Sequence, residues 1–296
     1  MGEILGIAAA LLSSVLGGTS VAATRYVVDS IDPLALGAFR FGIGFLFLLP
    51  VSLLSGGRWP RRIDWAGVAA LGALFFGLFP VLFNASLIYT TSARGALALS
   101  TLPLLTMLTA ALLGIERLTT RKFTGVLVAT LGVAAALLTD ISSAPANAWR
   151  GDLLMVAAAM CMAFYNVWSR PFIARASPIT FVSMGMGVGA VILITISLLR
   201  DSFEPVPLLS LPYWSAIIFL GLFGAAITFF LWTFALAHTT PTRVAISITV
   251  NPIAASLVGM LILDEPFTFN IIIGLAAVCL GIGLATTGTR SKGKVL

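Results

Sequence analysis

Residues 65–103 read WAGVAALGALFFGLFPVLFNASLIYTTSARGALALSTLP, and residues 214–252 read WSAIIFLGLFGAAITFFLWTFALAHTTPTRVAISITVNP. With a shift of 149, Trp65 meets Trp214, Gly72 meets Gly221, and Leu87 meets Leu236. Thr90-Thr91 meet Thr239-Thr240, Arg94 meets Arg243, and Pro103 meets Pro252. Apolar segments match by chance at Leu and Ala. They do not readily match at Trp, Pro and Arg in one register, so the stretch is an internal repeat. The register continues downstream through Glu116/Glu265, Gly125/Gly274 and Gly132/Gly281. Upstream it pairs Gly2 with Gly151, Glu3 with Asp152, and Ala8 to Ala10 with Ala157 to Ala159. A shift of 145 pairs Pro33 with Pro178 and Gly44 with Gly189, so a four-residue length difference follows the second element.

Around this repeat the chain is a series of apolar runs: 3–24, 33–54, 65–89, 93–114, 121–139, 151–170, 178–199, 212–237, 242–263 and 270–288. Each is close to the ~20 residues a helix needs to cross a bilayer. They are continuous, whereas barrel strands alternate apolar and polar. Only 9% of residues are charged, and mean hydropathy is +1.08. Ordinary soluble domains carry about 25% charge, so the apolar surface must face lipid. The predicted fold is an all-α membrane protein of ten transmembrane helices in two five-helix repeats, 1–144 and 145–296. An odd number of helices makes the second repeat enter from the opposite side, so the repeats are inverted.

The net charge of +6 does not point to nucleic acid, because the basic residues sit in short loops between apolar runs. With the N-terminus inside, inner segments hold Arg58, Arg61, Arg62, Arg117, Arg121, Lys122, Arg170, Arg175, Arg243, Arg290, Lys292 and Lys294. Outer segments hold Arg25, Arg94, Arg150 and Arg200. This positive-inside bias predicts a multi-pass protein of the inner (plasma) membrane with both termini cytoplasmic. Residues 4–23 end in small residues like a signal peptide, but Glu3 and the lack of Lys or Arg before them argue for a retained helix. Cys161 and Cys279 lie in apolar runs and read as buried small hydrophobes. No metal spacing or disulfide framework is visible, and no cofactor is expected. A monomer is expected.

Two related segments carry a resemblance. Leu113-Gly114-Ile115-Glu116-Arg117-Leu118-Thr119 precedes Gly125 and Gly132, and Leu263-Asp264-Glu265-Pro266-Phe267-Thr268 precedes Gly274 and Gly281. Each follows a run with a central proline, in Ser100-Thr101-Leu102-Pro103 and Thr249-Val250-Asn251-Pro252. Together with Phe39-Arg40-Phe41 in the second run, the chain resembles the EamA-type members of the drug/metabolite transporter superfamily. That resemblance implies ten helices, alternating access, and a central cavity lined by runs 1, 3, 4, 6, 8 and 9. Some such relatives export amino acids, including aromatic ones, and others move sugars, drugs or nucleotide-linked metabolites.

The residues supply site candidates. Phe75, Phe79 and Phe83 recur every four positions on one helix face, with Asn84 beside them. The repeat matches Phe83 to Trp232 and Asn84 to Thr233. The sixth run offers Tyr165, Asn166 and Trp168. Thr101 and Asn251 sit beside prolines, where freed carbonyls can face a ligand. Arg40 lies inside an apolar run; such a charge faces the bundle interior or a wet cavity, or is satisfied by carbonyls or a loop acid such as Asp29 or Asp32. The expected substrate site is Arg40, Phe79, Phe83, Asn84, Thr101, Tyr165, Trp168, Trp232 and Asn251. Glu116 and Glu265, just before the fifth and tenth runs, read as helix caps. Arg94 and Arg243 read as interface anchors, Gly185 and Gly189 as a packing contact, and His238 as a terminal loop residue.

This mix suits a small amphipathic solute, neutral or zwitterionic overall. The expected function is export of such metabolites, best read as amino acids including aromatic ones. Proton-coupled multidrug or metabolite efflux is the alternative. All eleven acids fall in loops, at helix ends or at corners, so uniport or exchange is expected over proton coupling. An intramembrane enzyme is the rival class, but no nucleophile–base pair or paired acids stand at membrane depth. A channel would not explain the inverted repeat as directly.

Overall fold

The computed structural model describes residues 2–115, 147–204, 206, 209–265 and 269–286, with scattered residues from 120 to 135. Most of the fifth run and Glu116 lie outside the described residues. Eight helices are long and apolar enough to cross a membrane, and the described residues contain no strand. They are α1 Gly2–Val27, α2 Pro33–Leu54, α3 Arg62–Tyr89, α4 Ser92–Leu112, α5 Ala148–Arg175, α6 Pro178–Leu199, α7 Leu211–His238 and α8 Pro241–Leu263. A further helix, α9, spans Phe269–Thr286.

Local chemistry sets the boundaries. Pro33 opens α2 where its missing N–H costs nothing, and the Asp32 carboxylate accepts the Leu34 N–H at 2.8 Å. Thr91 and Thr240 cap α4 and α8 by accepting the N–H of Arg94 and Arg243. Both α3 and α7 contain one wide π-turn, at Ala73–Leu78 and Leu222–Ile227. In α3 the turn precedes Pro80, whose ring would otherwise strike a carbonyl one turn back. In α7 the place of that proline is taken by Phe229, and the Thr228 hydroxyl instead donates to the Phe223 carbonyl at 2.6 Å. In α4 and α8 a tightened turn precedes Pro103 and Pro252.

Packing interleaves the two parts of the chain. α1 packs on α7 and α8, α5 packs on α3 and α4, and α2 packs most heavily on α6. Glycine sets the closest approaches. A Cβ on Gly189 would meet backbone atoms of Phe76 in the α3 π-turn at 2.5 Å. On the other side, a Cβ on Gly44 would lie 3.1 Å from Ala225 in the α7 π-turn. Gly185 lies against Gly72, so the sequence's glycine pair is an inter-helix packing site. Large apolar side chains such as Leu46, Leu54, Val191 and Leu199 point outward, as lipid-facing residues do. Cys161 is buried, but Cys279 is exposed on α9, which corrects its expected burial. An apolar run specifies membrane depth; which face of the helix meets lipid depends on the neighbours.

One face of the bundle gathers the N-terminus, the α2–α3 and α5–α6 connections, and the junction of α7 with α8. There the Ser177 N–H donates to the Arg58 carbonyl at 2.8 Å, and Arg175 pairs with Asp64 at 2.6 Å. We call this the N-terminal face and the other the far face.

Candidate functional site

A cavity of about 30 Å³ lies inside the bundle, room for one or two waters. Its wall comes from α1, α3, α4, α5, α7 and α8, and α2 adds Arg40. Eight of the lining residues form four pairs, each 149 apart: Ser13 and Met162, Phe79 and Thr228, Phe83 and Trp232, Leu99 and Ile248. The two most polar lining groups break this pairing. Asn251 stands opposite Leu102, and Arg40, at the shift of 145, opposite Gly185.

Arg40 is 3% exposed. Its Nη2 donates to the Gly224 carbonyl, inside the α7 π-turn, at 2.8 Å. Its Cζ lies 5.5 Å from the Phe83 ring centroid and 5.6 Å from that of Phe41. Among the described residues, Nε and Nη1 have no partner, and neither does Oδ1 of Asn251. Asp29 and Asp32 do not reach Arg40: Asp29 pairs with Arg25, and Asp32 caps α2.

The expected site residues divide by position. Arg40, Phe79, Phe83, Trp232 and Asn251 meet at the cavity. Tyr165 is buried behind it, stacked on Phe75 at 4.2 Å, with its hydroxyl 3.2 Å from Thr233 Oγ1. Asn84 is buried away from the wall and donates to the Pro33 carbonyl. Thr101 is buried and bonds the Ala98 carbonyl, closing the α4 kink. Trp168 is 58% exposed and stands outside the bundle. Asn166 supports the wall, its Oδ1 accepting Trp232 Nε1–H at 2.8 Å. Sequence reasoning missed Ser13, Gly17, Leu99, Met162, Thr228, Phe229 and Ile248. Thr228 was recoverable, because it is the repeat partner of Phe79; in α1, Ser13 was one of several small hydroxyl residues and Gly17 carries no side chain to read.

Ion pairs sit at both faces. At the far face Arg94 grips Asp152 through two nitrogens, Nη2 at 2.7 Å and Nε at 3.1 Å, with side chains only 10% and 13% exposed. At the N-terminal face Arg243 pairs with Glu3, and both side chains are 55% exposed. Glu265 does act as a cap, but across the chain: its carboxylate accepts the Ser92 N–H at the start of α4 at 3.0 and 3.1 Å. Surface recesses flank these pairs. One of about 260 Å³ at the far face includes Arg25, Asp29 and Glu265. One of about 320 Å³ at the N-terminal face includes Arg58, Arg170 and His238. His238 is the last residue of α7, its Nδ1 2.8 Å from the Phe234 carbonyl.

The profile of the EamA-like transporter family matches this chain twice, at residues 4–138 and 149–287. The chain belongs to the EamA-like transporter family. It is therefore a multi-pass membrane transporter, whose partners are a small solute and the lipid around it. Family relatives extend over nearly the whole chain. An uncharacterized transporter of Archaeoglobus fulgidus is 27% identical over 90% of this chain and 92% of its own length. The "Probable terminal-alkyne amino-acid exporter" of Streptantibioticus cattleyicolor is 25% identical over 96% of this chain and 95% of its own. A solved crystal structure shares the fold with a TM-score of 0.71, at 22% identity over 97% of this chain and 99% of the other.

Proposed function

We propose that this EamA-family chain exports small amphipathic metabolites, amino acids including aromatic ones, by alternating access as a uniporter or exchanger. It works as a monomer in the plasma membrane, with the N-terminal face and both termini cytoplasmic. The observation that carries the reading is the small cavity inside the bundle, walled by paired residues from both parts of the chain. Such pairing is expected of a site on the pseudo-twofold axis between two inverted five-helix repeats, 1–144 and 145–296. The matching π-turns, the interleaved packing and the doubled family match support the same division. Arg94–Asp152 and Arg243–Glu3 are repeat partners on opposite faces, as a pair of alternating latches requires. The amino-acid exporter among the relatives supports the solute class.

None of the described acids lines the cavity. A carboxylate that couples a proton gradient has to titrate near the solute at membrane depth. Flux in proteoliposomes is therefore expected to follow the solute gradient alone. An imposed pH gradient should leave the plateau of phenylalanine uptake unchanged. Uphill accumulation driven by that gradient, and lost in Glu265→Gln, would overturn uniport or exchange.

Trp232 contributes a ring to the cavity and holds Asn166. Trp232→Ala is expected to lower the initial rate by at least about tenfold, the ~1.4 kcal/mol equivalent of a partly lost aromatic wall. Trp232→Phe keeps the wall and should retain more flux. Rates normalised to monodisperse protein check this. Wild-type rates in Trp232→Ala would place the site elsewhere.

A further inference from the structure

We propose that the site selects solutes bearing a carboxylate, which docks on the free edge of Arg40 while their apolar part lies on Phe79, Phe83 and Trp232; this rests on the transport reading above. Arg40 is a cation almost fully removed from solvent, and no carboxylate pairs with it among the described residues. Burying an ion costs several kcal/mol unless a counter-charge and hydrogen bonds compensate. Here compensation is incomplete: one carbonyl takes Nη2, two rings lie near the guanidinium, and Nε and Nη1 remain unused. Nε and Nη1 stand on opposite edges of the guanidinium, each beside Nη2, so a carboxylate can accept from one of them together with the second Nη2 hydrogen in two parallel hydrogen bonds. The neutral walls mean that an anion there meets no like charge.

Symmetry strengthens the assignment. The paired residues give the two halves of the cavity similar roles, so they do little to orient a solute. Arg40 and Asn251 have apolar or missing counterparts and make the polarity of the wall asymmetric. The unused Asn251 Oδ1 is an acceptor and fits an ammonium or hydroxyl carried beside the carboxylate. The recess at the N-terminal face, with Arg58, Arg170 and His238 and no acid in its wall, would concentrate anions at that face. At about 30 Å³ the cavity has to widen as the solute enters, which alternating access supplies.

The test uses the full-length protein in proteoliposomes with three probes of one shape: L-phenylalanine, 3-phenylpropionate and phenethylamine. The two carboxylates are expected to move at least about tenfold faster than the amine, the low end of what hydrogen bonds to a charged group supply. Arg40→Gln should erase that ratio. Since Arg40→Gln can also weaken folding, Asn251→Asp provides a second arm. It places a carboxylate in the cavity, supplies Arg40 with a counter-ion, and should suppress carboxylate flux at least about tenfold in a well-folded protein. Equal rates for acid and amine, or an unchanged ratio in folded Arg40→Gln, overturn carboxylate selection while leaving the transport reading intact. Flux of none of the three, nor of other neutral amphipathic solutes, overturns the transport reading itself.

Discussion

Gly189→Leu is expected to abolish accumulation of folded protein. Gly189 sits where α6 crosses the α3 π-turn, and its added Cβ would meet Phe76 Cβ at 2.4 Å and Phe76 backbone atoms at 2.5 Å. No side chain can rotate aside, because the obstacle is backbone. The helices would have to separate along a line that also holds Gly72 against Gly185, where a Cβ would meet a carbonyl at 2.6 Å. In lipid, close helix packing is itself the main force between helices, so separation forfeits it. The loss is on the order of several kcal/mol, beyond ordinary overpacking and comparable to a domain's whole stability. Gly42→Leu is the matched control, since nothing lies within 4 Å of its Cβ. Size-exclusion chromatography of detergent-solubilised membranes reads the outcome. A monodisperse Gly189→Leu peak at wild-type yield would refute this packing account.

Arg94→Gln is expected to open the far face, and Arg243→Gln to change the N-terminal face little. The two latches are repeat partners, yet their surroundings differ. Arg94 and Asp152 are nearly enclosed and joined by two nitrogens, so removing one partner strands a buried charge, a loss of roughly 3–5 kcal/mol. Arg243 and Glu3 are half in solvent, and such a pair contributes about 0–1 kcal/mol. The ratio of closed to open far face should therefore fall about 100-fold or more in Arg94→Gln, and only a few-fold at the N-terminal face in Arg243→Gln. A cysteine at Ser13, which lines the cavity, reports this in a Cys161→Ala, Cys279→Ala background. Its labelling by a membrane-impermeant maleimide should rise from the far face in Arg94→Gln. Equal opening by the two variants, or none by Arg94→Gln, would show that these pairs are not the latches.

Much of the architecture was legible in the residues because membrane helices leave a coarse signal. The eight described spans fall on predicted runs, since length and apolarity decide what crosses a bilayer. The repeat register, read from Trp, Pro and Arg, returns as the two π-turns and as the matched ion pairs. The site was legible only in part. Trp168 and Phe83 are both aromatic residues on helices expected to line a cavity, yet one faces outward and the other inward. That choice depends on helix rotation, which the near-uniform apolarity of these helices does not encode. Glu265 shows the same limit: its position before a helix suggested a local cap, but the N–H it satisfies belongs to Ser92, far away in the chain.

The sequence by itself determined the membrane class, the positions of the eight described spans and the presence of a cation within one of them, because each follows from transfer free energy counted along the chain. Only the tertiary structure decided which residues share the cavity, that two Arg40 donors lack a partner among the described residues, and that one of the two matched ion pairs is buried while the other is wet. Those are properties of neighbours brought together across 58 positions in Arg94–Asp152, 184 in Arg40–Gly224 and 240 in Glu3–Arg243, and a linear pattern carries no record of them.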